Sequence, residues 1–198
     1  GGQLQRSGDE LFARADAMQK LYNASEANEA TAKYTQLAGQ REIDFKLNQG
    51  KAAVDGYPQY SKDLDSLRTD VRKGITSPDA QRLFDNETRR LHSSLTLSGA
   101  GHAATQNRDY AVNSSIARSS SIADMALANP LDERTFQLGL ENTRHEAKIQ
   151  SQIKHGVGAD DDITKENVAQ AVSGLWSKRI EGLLKTDPLN AGRMLSGA

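Results

Sequence analysis

The sequence predicts an all-α fold: an elongated bundle of about five to six helices, including long antiparallel helices of coiled-coil type. Only 36% of the 198 residues are hydrophobic and 5% are aromatic, a composition that suits long helices burying one narrow stripe each. Three pairs of a capping residue and a proline are each followed, six residues after the proline, by a large apolar residue. No run alternates apolar and polar residues between turn residues, as a half-buried strand would.

The three capping pairs predict where three helices begin. Ser, Asn and Asp accept a hydrogen bond from a free N–H of the first turn, and proline suits the next position because its φ is fixed and it has no N–H to satisfy. The pairs and their apolar residues are Ser77-Pro78 with Phe84, Asn129-Pro130 with Phe136, and Asp187-Pro188 with Met194. The first two copies share Arg82 and Arg134, and the pairs Thr88-Arg89 and Thr143-Arg144. They indicate a degenerate helical unit recurring about every 50 residues.

The first predicted helix runs from about residue 7 to residue 48. Ser7 and Glu10 have the spacing of a capping box, and Gly39 is a tolerable interruption. Its apolar stripe has residues seven apart at Leu4, Leu11 and Met18 and continues through Leu21, Tyr22, Ala32, Leu37 and Leu47. Such a helix is roughly 60 Å long, and its stripe can pack within the chain or assemble with copies of itself.

Two further helices are expected before residue 128. Gly50, Gly56 and Pro58 interrupt the pattern, so the second helix is predicted from about Pro58 to Lys73, with Gly74 as the glycine after its end. Its apolar side consists of Leu64, Leu67 and Val71. The third helix is predicted over about 78–127, with residues 98–101 as a weak point for a kink or a break. Its stripe consists of Leu83, Leu91, Leu95, Val112, Ile116, Ala123 and Leu127.

Three helices are predicted for the last third of the chain. The fourth spans about 130–154 and ends at Gly156 and Gly158. The fifth begins near Thr164 and has the densest apolar face, in which Trp176 is interpreted as a core anchor. The sixth starts at Asp187-Pro188. The apolar residues are Phe136, Leu140, Ile149 and Ile153 in the fourth helix, and Val168, Val172, Leu175, Trp176, Ile180, Leu183 and Leu184 in the fifth.

No catalytic, cofactor-binding or metal site is predicted. His92 and His102, like His145 and His155, are ten residues apart, whereas two ligands on one helical face need a spacing of four. A calcium loop starting at Asp160 would have Lys165 where glycine is needed and Ala171 where glutamate is needed. The carboxylate pairs Asp9-Glu10 and Asp63 with Asp65 have no evident cleft to raise one pKa, and no nucleophile elbow surrounds Ser119, Ser120 or Ser121. We therefore expect no enzyme and no cofactor.

Charge and hydropathy restrict the partners. The formal net charge is −1 and the two signs are interspersed, which gives no basic patch for nucleic-acid specificity. No apolar stretch approaches the ~20 residues of a membrane span. The expected organisation is a single elongated helical domain over residues 1–198, a fragment of a larger protein because it starts with Gly1-Gly2 rather than Met, with a sub-boundary near 156–163.

Three segments resemble a known family. Residues 45–57 (FKLNQGKAAVDGY), 77–84 (SPDAQRLF) and 179–195 (RIEGLLKTDPLNAGRML) are similar to the long α-helical structural and ejection-type proteins of tailed bacteriophages and prophages. The resemblance implies a segment of a larger virion protein, in the tail or injected with the genome, whose partners are other virion proteins or copies of itself. A peptidoglycan-cleaving domain in such proteins lies elsewhere, and no residue here matches its motifs.

The sequence thus leads to a structural or assembly segment of a virion, made in the bacterial cytoplasm, without catalysis. Two other functions fit the same pattern. One is an extracytoplasmic four-helix-bundle sensory module that holds a small ligand between helices. The other is a coiled-coil adaptor whose first helix docks a partner helix, with concentration-dependent association through residues 7–48.

Overall fold

The computed structural model describes residues 2–156, 158 and 160–196, and side chains from Gly8 onward. This part of the chain is all-α and contains no strand, which confirms the predicted fold class. The six helices are α1 (Gly2–Lys46), α2 (Lys51–Lys73), α3 (Pro78–Ala128), α4 (Glu133–His155), α5 (Asp162–Thr186) and α6 (Pro188–Ser196).

Contacts divide the chain into two compact units, Gly1–Asn107 and Arg108–Ala198. The first unit, unit 1, contains α1, α2 and the first part of α3. The second, unit 2, contains the rest of α3 with α4, α5 and α6. The division falls within α3, and the single domain with a sub-boundary near 156–163 stays a prediction.

The starts of α1 and α2 differ from the predictions. α1 already includes residues 2–7, so Ser7 is inside the helix and the predicted start at a capping box is wrong. α2 begins at Lys51, directly after Gly50 with φ 54°, and it continues through Gly56 and Pro58. Tertiary packing explains the longer helix, because Ala53 is fully buried, ahead of Pro58, and the ring of Tyr57 lies 6.2 Å from that of Phe45.

α3 begins where predicted and is continuous. Ser77 caps it, since its Oγ accepts a hydrogen bond from the N–H of Ala80 at 3.4 Å. The helix runs unbroken through residues 98–101, so the expected break is not there. Gly99 is buried, and a Cβ at this position would overlap the ring of Tyr60. This glycine therefore permits close helix packing rather than a bend.

The start of α4 corrects the second proline prediction. Asn129 and Asp132 close a turn, with the N–H of Asp132 donating to the carbonyl of Asn129 at 3.2 Å. Asn followed by Pro is also a β-turn pattern, which explains the error. Asp132 is the true cap, since its carboxylate accepts hydrogen bonds from the N–H of Thr135 at 3.0 Å and from its hydroxyl at 2.6 Å. At the other end Gly156 has φ 66° and terminates the helix as predicted.

The last two helices begin at aspartate caps. Asp161 accepts from the N–H of Ile163 at 2.9 Å, so α5 starts at Asp162, two residues before the predicted Thr164. Asp187 accepts from the N–H of Asn190 at 3.2 Å and confirms the predicted start of α6 at Pro188.

Each unit has its own core. The core of unit 1 joins one side of α1 to aromatic and aliphatic residues of α2 and α3; its large members are Tyr34, Phe45, Tyr60, Leu64, Phe84 and Leu95. The core of unit 2 is smaller and consists of Ala126, Phe136, Leu140 and Leu175, with Ile122, Ala123, Val172 and Trp176 packed against it. Trp176 lies 4.5 Å from Phe136, ring to ring, which supports its interpretation as a core anchor.

Candidate assembly surface

The first half of α1 carries a row of large apolar side chains that the rest of unit 1 does not cover. Leu11, Ala15, Met18 and Tyr22 lie on one side of the helix, because successive spacings of four, three and four residues keep side chains aligned. Phe12 and Leu21 widen the row on its two flanks. We call these six residues the α1 face. Its five large side chains are 59–78% exposed.

The α1 face is distinct from the seam that α1 uses for folding. The buried side of the same helix consists of Ala27, Tyr34, Ala38 and Phe45. At about 100° per residue these positions point roughly 140–180° away from Leu11. The apolar row predicted from the sequence is therefore not the buried side of α1. Its large members from residue 8 onward are exposed, including Leu37 at 40% and Leu47 at 74%; the others are Leu11, Met18, Leu21 and Tyr22.

C-terminal to the α1 face, polar contacts hold α1 against α2 and α3. His92 of α3 bridges two helices: its Nδ1 lies 2.8 Å from the hydroxyl of buried Tyr34, and its Nε2 lies 3.0 Å from a carboxylate oxygen of Asp65. Burial raises the pKa of Tyr34 to about 12. This chain of contacts holds the second half of α1 against α2 and α3, whereas residues 9–22 are exposed on every side of the helix.

A second contact lies close to the α1 face. The carboxylate of Glu26 accepts hydrogen bonds from the N–H of Thr76 at 2.6 Å, from its hydroxyl at 2.7 Å and from the N–H of Ser77 at 3.3 Å. The bonds from Thr76 hold the pKa of Glu26 below its ordinary range. Because negative charge is stabilised at a helix N-terminus, Glu26 ties α1 to the start of α3.

Three charged side chains lie on the side of α1 opposite the face. At about 100° per residue, Asp9, Asp16 and Lys20 point roughly 140–180° away from Leu11, and Lys20 pairs with Asp16 at 2.6 Å. The four aligned residues of the face itself are uncharged.

A groove continues the α1 face towards α2. It has a volume of about 370 Å³ and lies between α1 and the end of α2. Tyr22, Ser25 and Glu29 contribute the α1 wall, and Val71 and Ile75 contribute apolar surface opposite. The exposed strip thus leads into a concave site rather than onto a flat surface.

Unit 2 has a cleft of about 400 Å³ between α3, α4 and α5. Apolar residues Ile116 and Leu175 line it together with Ser120, Thr143 and Lys178. Lys178 is already paired with Glu181 at 2.9 Å. The cleft is mixed in character and has room for a small ligand, so it is a second candidate site.

A buried polar network lies beside this cleft. Fully buried Ser115 donates to the carboxylate of Glu146 at 2.5 Å, and Arg118 donates to the same carboxylate at 2.7 and 3.0 Å. The bonds from Arg118, with that from Ser115, lower the pKa of Glu146 although burial opposes this. Each oxygen of Glu146 is satisfied, which is typical of a structural group.

The histidines considered in the sequence analysis have separate contacts, and one of them reaches a carboxylate considered there, Asp65. His92 contacts Asp65, and the Nε2 of His102 lies 2.8 Å from the carbonyl of Asn48. His145 and His155 are exposed. Within the described residues no group of three or more His, Cys, Asp or Glu side chains has a geometry that holds a metal ion.

The sequence did not reveal the exposure of the α1 face, the groove or the Ser115–Glu146 contact. The heptad spacing of Leu4, Leu11 and Met18 did indicate a helix-pairing strip, but not whether it was used inside the chain. Comparison with protein-family models, curated proteins and solved structures finds no match. Among the described helices, none is both long enough and apolar enough to cross a bilayer.

Proposed function

We propose that the chain is a structural or assembly segment of a phage or prophage virion, in the tail or among the internal proteins ejected with the genome, and that this segment performs no catalysis. The exposed α1 face is the observation that carries the proposal. Large apolar side chains aligned on an exposed helix mark a site that is covered by another protein surface. The resemblance of residues 45–57, 77–84 and 179–195 to helical virion proteins supplies the biological context.

The role is mechanical. Narrow apolar contacts between helices hold each unit together. A small free energy of unfolding is expected for such a structure, which suits a protein that unfolds and refolds. The chain bends at the helix ends next to Gly50, Gly74 and Gly156. Gly99 is not one of these bends, because it packs against Tyr60 inside α3. The α1 face then joins the segment to its neighbours in the particle.

Mass spectrometry of purified particles tests this function. We expect peptides of this chain in particles of the phage or prophage that encodes it. Met18→Glu, which places a charge in the middle of the α1 face, reduces the amount incorporated, whereas Ala13→Glu on the opposite side of the helix leaves it unchanged. Particles that form normally and contain no peptide of the chain contradict the proposal.

The unit 2 cleft favours a second candidate function, the binding of a small ligand as in a sensory bundle. Lys178 and the hydroxyls of Ser120 and Thr143 suit a small carboxylic acid. A panel of amino acids and dicarboxylates, added while the fluorescence of Trp176 is followed, tests it. A saturable change that Ala147→Phe abolishes supports ligand binding, and no response to any member of the panel argues against it.

The adaptor function uses the same α1 face. An adaptor docks a helix of a cellular protein there, whereas a virion component docks a particle protein. The particle analysis separates the two, because only the virion component is found in purified particles.

A further inference from the structure

The two units differ in how much apolar surface each one buries. Apart from alanines, eight apolar side chains are buried in unit 1 and four in unit 2 among the described residues. Two ring pairs belong to the larger core: the ring centroids of Phe45 and Tyr60 lie 4.4 Å apart, and those of Tyr34 and Phe84 lie 6.1 Å apart. Because buried apolar area is the main favourable term in folding, unit 1 has the larger source of stability.

Unit 2 buries polar and charged groups instead. Six of its described polar side chains are buried, against two in unit 1, and two of the six are the charged groups Glu146 and Arg179. The Nε of Arg179 donates to the carbonyl of Pro130 at 2.8 Å and its Nη2 donates to the carboxylate of Glu133 at 2.6 Å. Its Nη1 is buried with no hydrogen-bond partner among the described residues. Burying a charge that is only partly paired is unfavourable, so the core of unit 2 is both smaller and less stabilising.

The part of α3 between the two cores contributes to neither of them. Along α3, Ala103 is the last buried residue of unit 1 and Ser115 is the first buried residue of unit 2, and none of residues 104–114 is buried. This stretch, ATQNRDYAVNS, is rich in residues of low helix propensity. A helix in a protein takes most of its stability from tertiary packing. Unfolding that starts in unit 2 can therefore end within residues 104–114.

Unit 1 is closed on the N-terminal side of that stretch. The Oε1 of Gln106 accepts a hydrogen bond from the N–H of Gly50 at 2.8 Å, and the Nε2 of His102 lies 2.8 Å from the carbonyl of Asn48. Both contacts hold the connection between α1 and α2 against α3 within unit 1. The buried core of unit 1 also ends at Ala103. Unit 1 therefore keeps its own contacts when the residues after 107 are no longer helical.

We propose that unit 2 unfolds before unit 1 and refolds on its own, with residues 104–114 of α3 as the boundary at which its unfolding ends. The inference deepens the proposed mechanical role and rests on it for its use in the particle. A segment built in this way opens in two ordered steps, and the first step leaves the larger core intact. Parts of one chain that open cooperatively at different free energies are common in proteins.

Hydrogen–deuterium exchange of the whole natural chain in increasing urea, followed by mass spectrometry of its peptides, tests the order of unfolding. We expect a range of urea concentration in which the amides of α4 and α5 exchange freely while those of α2 and of residues 78–103 stay protected. Two matched substitutions of buried leucines test independence. Leu140→Ala is expected to lower the urea midpoint of unit 2 alone, and Leu64→Ala that of unit 1 alone, each by about 1–2 M.

Several outcomes overturn the inference. One is a single transition in which all helices lose protection together, and another is loss of protection in unit 1 first. A Leu140→Ala chain in which unit 2 is already unfolded without urea supports the inference if α2 stays protected, and overturns it if α2 exchanges as well. A single transition in a chain that is found in purified particles overturns the order of unfolding alone. Two transitions in a chain that is absent from the particles overturn the virion function alone.

Discussion

At the scale of single residues, Gly182 marks a close approach of α5 to the end of α3 within unit 2. A Cβ at Gly182 would overlap the backbone carbonyl of Leu127, whereas a Cβ at Gly174 of the same helix meets nothing within 4 Å. Gly182→Ala is therefore expected to destabilise unit 2 by roughly 1–3 kcal/mol. Gly174→Ala is expected to stabilise it by about 0.5–1 kcal/mol, because alanine favours the helix.

Urea unfolding followed by Trp176 fluorescence measures both glycine substitutions, since this single tryptophan belongs to unit 2. Equal midpoints for Gly182→Ala and Gly174→Ala would show that the helices do not approach closely at Gly182.

Glu146 makes unit 2 sensitive to acid. Hydrogen bonds from Arg118 and Ser115 hold the pKa of Glu146 below its ordinary 4.5. A carboxyl whose pKa is lowered by folding contributes stability above its unfolded pKa and loses it as the pH falls through the folded pKa. The natural chain therefore loses stability as the pH falls below about 4.5, the ordinary value.

Glu146→Gln removes that contribution. We expect a loss of roughly 1–3 kcal/mol at pH 7 and a shallower decline on acidification. Urea midpoints from pH 7 to pH 3, read by Trp176 fluorescence, provide the measurement. Glu141→Gln, an exposed change on the same helix, is the control. Parallel pH profiles for the natural chain and Glu146→Gln would refute this role.

Residue-scale features were the least predictable from sequence. Ser115 and Arg118 lie on α3 and Glu146 lies on α4, and nothing in their local sequence marks them as partners. Gly99 and Gly182 read as weak helix positions by propensity, yet each permits a close helix contact. Such roles depend on tertiary approach, which periodicity does not contain.

At the scale of helices, the structure and the sequence pattern place the N-terminal cap of α4 at different residues. Asp132 caps the helix through two hydrogen bonds to Thr135, while Asn129 belongs to the preceding turn. Asp132→Ala is expected to cost about 0.5–2 kcal/mol and Asn129→Ala clearly less. Trp176 fluorescence in urea reports both, because Trp176 packs on Phe136 in the first turns of α4. A larger effect of Asn129→Ala would place the cap where the sequence pattern put it.

Helix existence and most boundaries followed from the sequence. Ser77-Pro78 and Asp187-Pro188 mark true starts, and Gly156 marks a true end. Two of the errors have different causes, since packing overrides a local signal at the start of α2 and one dipeptide fits two local patterns before α4. Tyr57 and Ala53 contribute to burial ahead of Pro58, so α2 starts earlier than its proline suggests. Asn129-Pro130 carries a cap pattern and a turn pattern together, and the turn forms.

At the scale of the whole molecule, the all-α class was predictable because the capping residue and proline pairs indicate helix starts and no run alternates apolar and polar residues as a strand would. Which part of α1 packs within the chain and which part is exposed was not predictable. Its stripe at Leu11, Met18 and Tyr22 fits internal packing and self-assembly equally well, and only the structure shows that α1 packs internally through its second half, at Tyr34 and Phe45, while residues 9–22 are exposed. Function did not follow from any motif, since no residue pattern reports what covers an apolar strip.

The elongated shape stays a prediction, and small-angle X-ray scattering tests it. A compact domain of this length has a radius of gyration of about 16–17 Å. We expect a clearly larger value, because a single helix of 45 residues is roughly 68 Å long. A radius of gyration at the compact value would contradict the elongated shape.

Quantitative mass spectrometry of purified particles tests most directly the claim that the α1 face is an assembly surface. The natural chain and Ala13→Glu are predicted to be incorporated in equal amounts. Met18→Glu is predicted to be incorporated much less, with unchanged helicity, because assembly would bury its charge. Particles that form normally without the chain, or that incorporate Met18→Glu as well as Ala13→Glu, would contradict the account.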